Sequence, residues 1–218
     1  MSLLPASFLF RIQQPCQYVK GLPVWEGERM LDLPESCRLV DAAALNGRKA
    51  FADVRIAWNA EGFGIQFEVR GKQNPPVGDV KRRFASDGML LWLDTRDARD
   101  NHRATRYCHH FWFMPAGGGE DLDEPAAGQA AINRAMQNAP ECSPEAIPLR
   151  TGQVRRGYWL EAWLPARVLN GFDPETNPRL GIYYWIRDSE LGDQPLGVGP
   201  EFPFYEDPSL WWTIELVR

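Results

Sequence analysis

Four cysteines and three histidines are all the thiol and imidazole ligands in 218 residues, and their spacing excludes several chemistries. Cys16, Cys37, Cys108 and Cys142 form no Cys-x-x-Cys pair, so neither a zinc knuckle nor a dithiol redox centre is indicated, and buried free thiols are expected. No metal site is assigned. There is no Gly-x-Ser-x-Gly elbow, and Ser86, Ser143, Ser189 and Ser209 all sit in turn contexts, which leaves hydrolysis by a serine nucleophile without support. No catalytic constellation is visible, so the reading leans away from an enzyme. The chain carries no basic run of the kind that holds a phosphate backbone; 24 basic residues against 29 acidic ones give a net charge of −5, so nucleic acid is not an expected partner. No apolar run reaches the length of a membrane span, and the first residues, MSLLPASFLFRIQ, lack an early cation and are interrupted by Pro5 and Ser7, unlike a signal peptide. A cytoplasmic location is the default expectation, and no membrane partner is implied.

Nine Trp, eleven Phe and six Tyr stand beside eighteen Pro and nineteen Gly, a mixture that favours strands and turns over helices. The clearest local pattern is VRIAWNAEGFGIQFEVR. Apolar Val54, Ile56 and Trp58, then Phe63, Ile65, Phe67 and Val69, alternate with more polar neighbours across the turn Asn59-Ala60-Glu61-Gly62. That period of two predicts a β-hairpin with one buried face. Further strands are expected over Phe8–Ile12, Arg38–Val40, Gly88–Asp94, Tyr107–Met114, Tyr158–Leu164, Arg179–Arg187 and Trp211–Val217. Only Ala126–Gln137, rich in alanine, and a single turn over Pro165–Leu169 invite helix. The expected fold is all-β: a two-sheet antiparallel β-sandwich, jelly-roll or immunoglobulin-like, with long loops and little helix. One domain spanning residues 1–218 is expected, with an irregular insertion over about 115–150.

Candidate sites divide by chemistry. His102, His109 and His110 lie close in sequence, but neighbours on a strand face opposite ways, so only one of His109 and His110 can serve a given site. Glu68 and Glu161 project from predicted strands, where pairing with an arginine such as Arg55, Arg70 or Arg187 is the expected fate. Gly117-Gly118-Gly119 lacks the Lys and Ser or Thr of a phosphate loop and is followed by acids. The aromatic residues are the main oddity: sugar rings stack their C–H faces on aromatic side chains while their hydroxyls take polar partners at the rim. Of Trp58, Trp92, Trp159, Trp163 and Trp185, at least three are expected to be structural.

Three segments, SDGMLLWLDTR (86–96), GYWLEAWLPARVL (157–169) and YEDPSLWWTIELV (205–217), resemble the family 9 carbohydrate-binding modules and the wider group of DOMON-like sandwich domains. The resemblance implies a sugar held between two aromatic rings, at positions that fall on Phe84 and Tyr205, with Trp211 and Trp212 packing on opposite faces of a closing strand. The acidic residue and the arginine that contact sugar hydroxyls in that family fall on Leu90 and Trp112, so the family's polar contacts do not carry over. Arg83, Asp87, His110, Arg187 and Asp188 are the candidate polar contacts, chosen for their nearness to the matched motifs. The implied partner is a carbohydrate or sugar-like small molecule and the implied role is non-catalytic binding linked to carbohydrate catabolism. Calcium, which some relatives bind, is implied only by the resemblance. A haem-binding relative, using ligands from Met89, Met114, His102, His109 and His110, and a structural sandwich whose sugar site has degenerated are the alternatives.

Overall fold

The computed structural model describes residues 6–10, 12–40 and 42–218. The predicted hairpin is its centre: β2 (Ala52–Asn59) and β3 (Gly62–Arg70) pair antiparallel, with Val54 opposite Phe67, Ile56 opposite Ile65 and Trp58 opposite Phe63. All six are buried. Asn59 closes the turn by accepting from the Glu61 N–H at 2.8 Å and donating to the Leu22 carbonyl at 2.8 Å. Gly62 follows because a β-carbon there would lie 2.3 Å from the Leu164 carbonyl oxygen.

Around this hairpin the strands form one continuous hydrogen-bonded path that folds into two facing layers. The first layer contains β6 (Glu124–Ala130), β5 (Cys108–Gly118), β4 (Gly88–Asp94), β9 (Arg179–Asp188) and β11 (Trp212–Val217). The second contains β1 (Gln13–Tyr18), β2, β3, β8 (Gly157–Pro165) and β7 (Leu149–Val154), and β10 (Gly192–Pro195) pairs with β9. The pairings are antiparallel except at β1, which runs parallel to both β11 and β2 and so joins the layers. The Trp58 indole reinforces that seam, donating toward the Cys16 and Val217 carbonyls at 3.0 and 3.3 Å.

Between the layers lies a core built from the alternate residues that face inward: Leu91, Leu93, Phe111, Phe113, Ile182, Tyr184 and Ile186 from the first, and Val54, Ile56, Phe67, Leu160, Ala162 and Leu164 from the second. Each large side chain withdrawn from water contributes about 1.5–3 kcal/mol, which makes this the main stabilising term. The outward faces are covered as well. Segment 22–33 lies over Trp163 and Ala57 on the second layer, and loops carrying Ile132, Val198 and Phe204 lie over the first. Cys16, Cys37 and Cys108 are buried and all four cysteines are free; burial pushes the Cys108 thiol up to about 12.

Several local expectations change. The helix expected over Ala126–Gln137 is instead the edge strand β6 followed by turns, because Ala126–Ala130 finds hydrogen-bonding partners on β5 and Gly128 leaves room for the Trp112 indole. Residues 115–150 thus contain the end of β5, all of β6 and the start of β7. The first strand starts at Gln13 rather than Phe8, and Ala6–Leu9 is a 3₁₀ turn; Arg11, within the expected Phe8–Ile12 strand, lies outside the described residues, as does the Met1–Leu3 start. Arg38 makes a lone bridge to Arg55 instead of a strand. The turn after β8, Ala166–Val168, is as expected.

Candidate functional site

Of the three matched motifs, 157–169 contains β8 of the second layer, while 86–96 and 205–217 lie in the first layer and meet near its outward face. Alternation places Leu90 and Trp92 of β4, His110 and Trp112 of β5, and Tyr183 and Trp185 of β9 on it. The register sets Trp185, Leu90 and Trp112 in one row across the sheet and Tyr183, Trp92 and His110 in the next. The resulting floor is aromatic. Trp92 stacks on His110 at 4.4 Å between centroids, and Phe204, delivered by the loop after β10, stacks on Tyr183 at 4.2 Å and meets Trp185 edge-on at 5.5 Å.

Two rings stand out of this floor toward solvent. Phe84 is 47% exposed and Tyr205 41%, whereas Phe204 between Tyr205 and the sheet is fully buried. Phe84 lies 6.4 Å from Trp185 and 6.1 Å from His110; Tyr205 is 5.7 Å from Phe204. The half-buried Trp185 therefore links the two exposed rings through its contacts with Phe84 and Phe204. Of the five tryptophans, of which at least three were expected to be structural, Trp58, Trp92, Trp159 and Trp163 are buried, Trp92 within the floor, and Trp185 is the one partly exposed. Trp211 donates to the Phe204 carbonyl at 2.7 Å from the outer face while Trp212 enters the main core, so the pair packs on opposite faces as expected.

Local hydrogen bonds position the rings. Asp79 caps the 3₁₀ turn Val80–Ala85 by accepting from the Lys81 N–H at 2.8 Å, and Ser86 Oγ donates back to the Arg82 carbonyl at 3.1 Å, which orients Phe84. Tyr205 is held between buried Phe204 and a turn in which Glu206 and Asp207 donate their N–H groups to the Pro203 carbonyl.

The five polar candidates separate into two groups. Arg83 lies over the Trp112 ring at 5.5 Å and Arg187 over Trp185 at 5.1 Å, so both guanidinium groups reach the aromatic floor. Arg187 also meets Asp193 at 3.0 Å, while Arg83 makes no ion pair among the described residues. His110 lies in the floor itself. Burial, followed by the nearby Arg83 charge, pulls its pKa down to about 3, so it is neutral at pH 7, and its Nε2 is buried without a partner. Asp87 and Asp188 turn away from the site, because each is a ligand of the buried Lys72 ammonium, at 3.0 and 3.2 Å. Burial opposes the charge on Lys72, but the two carboxylates outweigh it and its pKa rises. Asp87 also accepts from the Val77 and Ser189 N–H groups, and Asp188 from those of Glu190 and Leu191. Their role is to tie the loop before β4 to the end of β9. Lys72 escaped sequence reasoning because nothing local marks a lysine whose partners are distant in the chain.

Other constellations resolve differently. Glu161 is fully buried and accepts from the Met30, Leu31 and Asp32 N–H groups at 2.6, 2.9 and 3.1 Å, with Arg29 at 3.2 Å; Glu68 pairs with Arg70. Glu68 thus has one of the arginine partners expected of it, whereas Glu161 pairs with Arg29, which was not among the arginines expected, because segment 29–32 folds over β8. Ser209, His102 and Asp207 do meet, but Ser209 Oγ donates to Asp207 at 2.6 Å and both residues approach the same nitrogen, Nδ1, of an exposed histidine. A proton relay needs them on opposite ring nitrogens, so the cluster is a capped turn. His109 stacks on Phe111 inside the core with Met89, His110 and Met114 belong to the outer face, and His102 is on the surface, so the possible haem ligands are dispersed. Among the described residues no group of three or more His, Cys, Asp or Glu is arranged to hold a metal ion.

Comparison with solved structures gives this architecture a counterpart. A carbohydrate binding module of family 9 from Caldicellulosiruptor kristjanssonii, in complex with cellotriose, superposes with a TM-score of 0.59 at 14% identity, over 94% of this chain and 93% of that one. The fold is that of a family 9 carbohydrate-binding module. A second such module from the same organism, in complex with glucose, gives a TM-score of 0.53 at 14% identity over 76% of each chain. No family model and no curated protein matches the sequence. In this module-like fold the row Trp185, Leu90, Trp112 is apolar throughout, so the polar groups near the exposed rings come from Arg83 and Arg187. No helix among the described residues is long and apolar enough to cross a membrane.

Proposed function

We propose that this chain is a single-domain, non-catalytic saccharide-binding module, with a sugar ring held against Phe84 and Tyr205 and a part in carbohydrate catabolism. The observation that carries the reading is the pair of exposed rings at the two resemblance positions, linked through Trp185 over an aromatic floor. The exposed parts of Phe84 and Tyr205 forgo apolar burial that stacking on the C–H face of a sugar recovers. The fold shared with modules solved with cellotriose and with glucose supports the same assignment. Arg83 and Arg187 supply donors at the rim. The test is calorimetric titration of the folded protein against mono-, di- and oligosaccharides, repeated with Phe84→Ala and Tyr205→Ala. Saturable binding that both substitutions weaken supports the reading; binding that neither changes, or no binding to any saccharide, refutes it.

A further inference from the structure

The charge around the two rings narrows the kind of sugar. Phe84 follows Lys81, Arg82 and Arg83 directly, and none of those three side chains makes an ion pair among the described residues. Arg187 lies over Trp185 and is paired with Asp193. Of the nearby acids, Asp87 and Asp188 are engaged by Lys72, Glu206 by Arg134 at 3.3 Å and Asn133 at 3.0 Å, and Asp79 accepts from the Lys81 backbone, while Glu201, whose charge reaches Tyr183, makes no ion pair among the described residues. Beneath the rings, the Trp112 and Trp185 indoles each bury an N–H without an acceptor. Those indole N–H groups are buried and out of a ligand's reach, and Leu90 between the tryptophans can neither donate nor accept, so the guanidinium groups, which can only donate, are the polar groups the floor presents.

From this we infer that the saccharide carries an anionic substituent, a carboxylate, sulfate or phosphate, set against Arg83 with Arg187 as its neighbour. This rests on the binding role proposed above. The anionic substituent itself presents acceptors only, which matches the guanidinium donors at the rim, while the remaining hydroxyls are common to neutral and anionic sugars. Guanidinium groups also bind carboxylate and phosphate in a planar, two-pronged geometry that a hydroxyl cannot reproduce. In a chain of net charge −5, Arg83 and its sequence neighbours Lys81 and Arg82, none of them in an ion pair among the described residues, form a local cluster of charge opposite in sign to the whole, which favours capture of an anion there.

The test is titration of the unaltered full chain with glucose, glucuronate, glucose 6-sulfate and glucose 6-phosphate, which share one ring, and with neutral and uronate oligosaccharides, at low and at high salt. The expected result is a preference of at least about tenfold for one of the anionic forms, equivalent to about 1.4 kcal/mol. The preference should shrink as salt screens the charges and fall to near unity in Arg83→Gln, whose thermal midpoint shows that it remains folded. Which anionic form leads identifies the substituent. Equal or tighter binding of the neutral sugar overturns the inference and leaves the binding role intact. Failure of every sugar to bind folded protein overturns both, and an anion preference that Arg83→Gln leaves unchanged overturns the assignment to Arg83.

Discussion

Lys72 and Asp87 meet at 3.0 Å with both side chains about 1% exposed, and Asp188 completes the cluster from the end of β9 at 3.2 Å. Removing the cation leaves two carboxylates in the protein interior with only their backbone N–H donors and no opposite charge. Lys72→Met is therefore expected to destabilise the fold by about 3–5 kcal/mol, read as a lowered denaturant midpoint. Adding Asp87→Asn to that variant should recover part of the loss, since it removes one of the stranded charges. An unchanged midpoint in Lys72→Met would show that the cluster contributes nothing.

Glu161 is the corresponding anchor on the other layer, where it gathers three backbone N–H groups and Arg29. Glu161→Ala leaves those donors buried and unmatched at about 1–3 kcal/mol each before relaxation, so a net loss of about 3 kcal/mol is expected. Segment 29–32 should also become a site of early proteolysis in the variant. Glu161→Gln, which keeps an acceptor oxygen, should lie between the two.

Stability should fall with acid through two buried histidines. Burial pulls His109 down to about 4 and His110 to about 3, below the ordinary value of about 6.5. The unfolded chain therefore takes up these protons first as pH drops below about 6.5, and each withheld proton removes about 1.4 kcal/mol of stability per pH unit until the folded-state value is reached. Above about pH 6.5 this contribution is complete and flat. Asp94, whose pKa is raised by burial, works in the opposite sense at lower pH, so the histidine part is isolated by difference. The slope of unfolding free energy against pH between 6 and 4.5 should be shallower in His110→Gln than in the parent.

On the proposed reading, Phe84 and Tyr205 serve binding rather than folding. Because each is more than 40% exposed, Phe84→Ala and Tyr205→Ala should move the stability by no more than about 0.5 kcal/mol. Saccharide affinity should drop about tenfold for each, the magnitude of one lost stacking contact. A variant that loses binding and melts several degrees lower would indicate a packing role instead.

The β2–β3 hairpin was legible from its period of two, and β4, β8, β9 and the closing β11 from short aromatic runs bounded by turns, although β4 is buried on both faces. Two other strands were not. AAGQA has helical propensity and becomes β6 because β5 offers it a ladder, a tertiary effect. QQPCQY becomes β1 despite Pro15, whose missing N–H argues against an interior strand. At the site, the positions of Phe84 and Tyr205 followed from short motifs, and the structure exposes both. Asp87 and Asp188 looked like ligand contacts because they border the same motifs; their inward turn depends on Lys72, and no local pattern announces an ion cluster assembled from residues up to 116 positions apart.

The most direct test is the structure of the protein with a bound saccharide, or chemical-shift mapping during its titration. The account predicts a sugar ring in contact with Phe84 and Tyr205, with perturbations at Trp185, Arg83 and His110. Binding confined to the groove of about 650 Å³ lined by Pro75, Pro115, Pro125, Thr151 and Tyr158, with Phe84 and Tyr205 unperturbed, would contradict it.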